Sequence, residues 1–238
     1  PRSCRPVEPR PATEGFLPPG KAGCQQLWQP AFPVLLYIFR VMSAVTHAGT
    51  SPVYERHPPG DLAIWIFILA ELGVFALFFA AYAFARSHNV ALFDEFQQHL
   101  DRRAALVNTL ALITGSYFVV RAVAAIREDN REHCVFWLLA ALGMGALFLV
   151  VKWGEYAHHF GQGITLSTNT FYMFYLSLTF FHFMHVILGM VILAAVAWKA
   201  RRGAYSADRY SGVESGASYW HMVDLVWLIL FPLVYVMR

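Results

Sequence analysis

Five stretches of the chain are apolar almost without interruption, and short polar segments separate them. They run over about residues 61–85, 104–126, 133–151, 171–198 and 217–236. At 1.5 Å rise per residue, a helix of each length crosses the ~30 Å hydrocarbon core of a bilayer. Lipid offers no partner to a backbone N–H or C=O, so each stretch must satisfy its own hydrogen bonds and is predicted to be helical. Strands of a membrane barrel would alternate in polarity and be about half as long. The expected fold is therefore an all-α membrane protein, a bundle of five transmembrane helices over 61–238. No internal repeat is visible, which weighs against an inverted-repeat transporter.

Composition agrees. Of 238 residues, 58% are hydrophobic and 14% charged, against roughly 45–50% and about 25% in soluble domains. Mean hydropathy is +0.47. A soluble domain of this length has too little interior for so much apolar surface. The net charge of +3 is small and its basic residues are scattered, so no nucleic-acid partner is expected. From Arg56 onward, the side of the N-terminus carries Arg56, Arg121, Arg127, Arg131, Lys199, Arg201, Arg202 and Arg209, eight in all. The other side has five: Arg86, Arg102, Arg103, Lys152 and Arg238. The excess predicts a cytoplasmic N-terminus and an external C-terminus.

Residues 1–60 differ from the rest. Eight of the 12 Pro fall within positions 1–33, a density that prevents regular structure, and a disordered tail is expected. The apolar stretch at 31–39 is too short to span and shows no clear signal-peptide cleavage site. The first Met is Met42, and the simpler expectation is a natural start there, with 1–41 an upstream extension.

Ionisable side chains at lipid depth cost about 2.5–3.5 kcal/mol each on insertion scales, so each calls for a partner or a task. Glu71 lies mid-way along the first span with no basic residue one turn away. It is either a proton-handling carboxyl or a protonated acid bonded to a neighbouring helix. Near the end of the third span, Lys152 and Glu155 are spaced to pair, and Glu155 with His158 forms one Glu-x-x-His unit. A di-iron bundle needs two such units plus two further Glu, so an interfacial cap of polar residues is the expectation here. His182 and His185 share a face of the fourth span; bonding to carboxyls on other spans is preferred over metal or haem ligation. In the fifth span His221 and Asp224 are placed to pair, with Trp220 and Trp227 at helical spacing. Glu214 precedes it, with Arg209 as a loop partner, and Pro232 should disturb the last turns. Of the three cysteines only Cys134 lies in a span, and no Cys-x-x-Cys occurs, so no copper–thiolate site is encoded. No metal-binding and no catalytic residue is expected. A membrane di-iron enzyme and a small proton channel are the rival classes.

These residues also carry a resemblance. Glu71 in a Phe-rich helix, Asn108-Thr109, Glu155-Tyr156, His182-Phe183-Met184-His185 with Gly189, and a Glu-x-x-Ala-x-x-Trp-His-x-x-Asp-x-x-Trp run from Glu214 to Trp227 resemble subunit III of the haem-copper oxidase superfamily, in its five-span form. The wording of spans four and five is most similar to the NorE-type accessory protein of nitric oxide reductase clusters. The resemblance implies a non-catalytic accessory subunit of a respiratory complex in the bacterial plasma membrane, linked first to nitric oxide reduction in denitrification and alternatively to a cytochrome c or quinol oxidase. It implies no cofactor, a catalytic haem-bearing partner subunit and bound phospholipid. Glu71 and Asp224 then become proton-related carboxyls; Glu155, His182, His185, Glu214 and His221 become a structural polar network. Lys199 and Trp220 become contacts for a lipid headgroup.

Overall fold

The computed structural model describes residues 61–237; the Pro-rich tail, with the proposed start at Met42, lies outside them. The described residues are nearly all helical: α1 Leu62–His88, α2 Val90–Gln97, α3 Arg102–Arg127, α4 Arg131–Gly161, α5 Thr170–Arg201 and α6 Ser211–Phe231, followed by a π-helical turn, Pro232–Val236. Five of them, counting α6 through Val236, are long and apolar enough to cross a membrane.

Local chemistry sets the helix ends. Asp101 Oδ1 accepts from the backbone N–H of Arg103 and Ala104 at 2.9 and 3.1 Å. Asn130 and Asn169 cap α4 and α5 in the same way, through His133 and Tyr172. Such caps satisfy N–H groups that a helix leaves unpaired. At the other ends, Gly163 and Gly203 adopt positive φ, 75° and 76°. Ile164 N–H then reaches back to His159 O and Ala204 N–H to Lys199 O, both at 3.1 Å, closing each helix as a Schellman turn. Asp129, at φ 57°, does the same between α3 and α4.

The helices exceed the hydropathy-based spans. α4 continues ten residues past the expected end at Val151 because Lys152 and Glu155, which interrupt the apolar run, stay helical and are buried. α2 was not anticipated. It is short and folds back on the bundle through Phe93, whose ring meets Tyr82 at 5.3 Å and Phe171 at 5.5 Å. An ion pair between Arg86 and Asp94, 2.9 Å, braces it. Pro232 donates no N–H to the ladder, and the last turn widens to π there.

α5 is the central helix, with sixteen buried residues. α3 and α4 make the most extensive pairing, and α6 packs on both α3 and α5. α1 is peripheral. Its buried residues are Ile68, Phe75 and Tyr82 alone, and it rests mainly on α6 and α5. α1 and α6 run parallel: Asp61 N–H reaches Ser215 Oγ at one end, 3.4 Å, and Arg86 donates to Met237 O at the other, 2.6 Å.

Candidate functional site

The polar side chains of the interior gather into three groups along the bundle. The first joins α1 to α5. Glu71 Oε2 lies 3.0 Å from His185 Nε2, and His185 Nδ1 lies 2.8 Å from Phe181 O. A carbonyl only accepts, so Nδ1 carries hydrogen. Nε2 then meets Glu71 either as the donor of an imidazolium or as the acceptor of a protonated acid's hydrogen. Either way the pair holds one proton. It is not sealed: the side chains are 22% and 10% exposed. Glu71's partner comes from another span, 114 residues away.

The second group lies where α4, α5 and the π turn meet. The Lys152 ammonium donates to Glu155 Oε2 at 3.0 Å, to Tyr175 Oη at 3.3 Å and to Tyr235 Oη at 2.6 Å. Both phenols donate onward to Glu155 Oε1, at 2.5 and 2.9 Å. Three hydrogens thus find three acceptors. The rings of Tyr156, Tyr175, Tyr235 and Trp227 stand 4.9–5.8 Å from the ammonium nitrogen, within cation–π range. Lys152 is 0% exposed. This overturns the interfacial cap: the cluster is internal, because the aromatic hydroxyls replace water. Glu155 binds these groups rather than pairing with His158, which is exposed and sits 3.0 Å from Gln162. A cavity of about 340 Å³ opens beside Glu155, lined also by His99, Asp101, His158 and His159.

The third group is the α6 motif, where each residue takes a separate partner. Trp220 is 1% exposed and fills a socket made by glycines of three helices. A Cβ on Gly145 would stand 2.9 Å from its ring, one on Gly189 3.2 Å and one on Gly115 3.4 Å. The expected headgroup contact by Trp220 is therefore corrected: its indole is sealed inside the bundle. His221 Nδ1 bonds Ser116 Oγ on α3, 2.5 Å, instead of pairing with Asp224. Asp224 is buried, and its Oδ1 has no hydrogen-bond partner among the described residues. Trp227 Nε1 donates to Thr109 Oγ1 at 2.9 Å, which donates to Ala105 O at 2.9 Å. Glu214 pairs with Arg127 of α3 at 2.7 Å, not with Arg209, and that guanidinium also covers Tyr210 at 5.4 Å.

His182 and His185 share a helix face but not a site. His182 is fully buried between Trp227 and Phe148, ring centroids 5.1 and 5.6 Å away, while His185 turns to Glu71. Among the described residues no three His, Cys, Asp or Glu side chains meet in metal-ligating geometry. Lys199 is half-buried near the end of α5, beside the Trp198 ring, which Arg202 covers at 3.8 Å. The residues missed from sequence are Ser116, Arg127, Tyr175 and Tyr235. The two tyrosines carried a signal, since a phenol at lipid depth needs a partner for its hydroxyl.

Comparison with known proteins gives this arrangement its relatives. The family model for cytochrome c oxidase subunit III matches residues 60–238. The chain belongs to the cytochrome c oxidase subunit III family. It is 36% identical over 193 residues to cytochrome c oxidase subunit 3 of Synechocystis sp., covering 79% of this chain and 81% of that one. With cytochrome c oxidase subunit 3 of Thermostichus vulcanus the identity is 32% over 195 residues, covering 82% and 92%. With the heme-copper oxidase subunit I+III of Aeropyrum pernix it is 31% over 196 residues, covering 77% of this chain and 24% of that longer one. As a subunit III, the chain is a non-catalytic accessory member of an oxidoreductase complex, and a multi-pass protein of the bacterial plasma membrane.

Proposed function

We propose that this chain is subunit III of an oxygen-reducing haem-copper oxidase of cytochrome c or quinol type, packed in the membrane against the haem-bearing catalytic subunit I. The family match over all five spans carries this reading. A natural fusion of subunits I and III in the Aeropyrum relative supports subunit I as the neighbour, since a single chain keeps its two parts together. The link to nitric oxide reductase rests on the wording of spans four and five, such as Phe183-Met184 between the two histidines. The cytochrome c oxidase subunits among the relatives favour oxygen instead.

In this role the chain contributes packing and charge rather than chemistry. The Lys152–Glu155 cluster and the α6 motif hold the bundle rigid. The Glu71–His185 pair stores one proton at mid-bilayer, and Lys199 reaches a phospholipid headgroup at the cytoplasmic end of α5. The positive-inside count orients the bundle with that end inside. The test compares membranes from cells with and without the chain. Oxygen consumption should begin at a similar rate in both and decay sooner during sustained turnover without it, with Glu71→Gln intermediate and nitric oxide consumption unchanged. Unaltered oxygen respiration together with impaired nitric oxide consumption would assign the chain to the reductase.

A further inference from the structure

α1 is apolar along most of its length, yet among the described residues only Ile68, Phe75 and Tyr82 of it are buried. Among its exposed side chains are Leu69 at 65%, Val74 at 41% and Leu77 at 73%. Apolar exposure alone fits lipid tails. Glu71 does not. Its side chain is 22% exposed near the middle of a membrane-spanning helix, where hydrocarbon offers no hydrogen bond. His185 reaches only Oε2. Beneath the same flank lies Tyr219, 0% exposed, its ring stacked on Phe67 of α1 one turn before Glu71, centroids 6.0 Å apart, and its hydroxyl unpaired among the described residues. The polar set formed by Glu71, His185 and Tyr219 is thus half-built, with its open side facing out of the bundle.

Lipid tails cannot complete such a set, whereas a polar side chain on another membrane helix can. Val74 follows Glu71 by one turn on α1, and Met184, 40% exposed, precedes His185 on α5. Both are exposed neighbours of the Glu71–His185 pair along their helices, so a helix seated on the pair would pass close to them.

We propose that the groove between α1 and α5 at Glu71 is where a transmembrane helix of the catalytic subunit docks, presenting a hydrogen-bond donor to the free oxygen of the Glu71 carboxyl. This rests on the subunit III reading and adds the face through which it acts. The flank of α4 that carries the exposed apolar residues Leu139 and Val150 is left to lipid.

The experiment uses the intact complex in native membranes. A photo-activatable benzophenone amino acid is placed at position 74, at 184, or at the control position 150, and adducts are identified by mass spectrometry. The expected result is an adduct with a membrane helix of the catalytic subunit from 74 and 184, and lipid adducts alone from 150. In parallel, Glu71→Leu should lower the recovery of complex after detergent exchange about tenfold, the scale of one interhelical polar contact, with Glu71→Gln retaining most of it. Catalytic-subunit adducts from 150 and none from 74 or 184 would overturn the docking face while leaving the subunit III reading intact. Failure of any haem-bearing subunit to co-purify with the unmodified chain would instead strike at that reading.

Discussion

Trp220 is the residue whose surroundings explain most about the others. Its indole lies against three helices at once, and each meets it with a glycine. A side chain on any of these would push the helices apart. Gly145→Ala should therefore destabilise the detergent-solubilised protein, by about 1–3 kcal/mol, the usual cost of overfilling a packed interior. Gly143, two residues earlier on α4, has nothing within 4 Å of its Cβ position; Gly143→Ala should be neutral or mildly stabilising. Thermal unfolding of the two variants side by side checks both. Trp227 offers a second test. Thr109→Val and Trp227→Phe should each cost about 1 kcal/mol from the lost hydrogen bond, beyond any change in packing. The double variant should cost less than the sum, because both remove the same bond. A double-mutant cycle reads the difference.

At the scale of elements, the charged cluster joins three pieces of chain that the loops leave independent. Lys152 and Glu155 come from α4, Tyr175 from α5 and Tyr235 from the π turn after Pro232. Removing one charge strands the other in the buried interior. Lys152→Met should cost about 3–5 kcal/mol, and Lys152→Met with Glu155→Leu distinctly less. Stability that falls equally in both would mean the pair is solvated. The five spans themselves were legible from hydropathy because lipid makes a long apolar run nearly synonymous with a helix. Their ends were not, since α4 stays helical through a lysine and a glutamate whose burial depends on tyrosines elsewhere in the chain. The short α2 was also hidden, because its eight residues acquire their structure from the ring contacts of Phe93. At the sites, local spacing did find Lys152–Glu155. It misassigned Glu214, His221 and Trp220, whose true partners on α3 and in the glycine socket lie about 31–105 residues away in sequence.

For the molecule as a whole, the described helices are held together by packing and by polar pairs between spans, and the partly exposed Glu71 carboxyl stands at mid-depth on the least covered helix. That is the anatomy of a subunit whose work is done on a neighbour. The exposed face of α1 and the half-built set around Glu71 place the neighbour beside that helix, and the family relation names it as a haem-bearing catalytic subunit. The most direct measurement is affinity purification of the full-length chain from its native membrane in mild detergent. Redox difference spectra, metal analysis and mass spectrometry then read out what accompanies it. The account predicts a stoichiometric catalytic subunit bearing haem and copper, and a chain that binds neither once separated from it. Iron or copper held stoichiometrically by the separated, folded chain would contradict it.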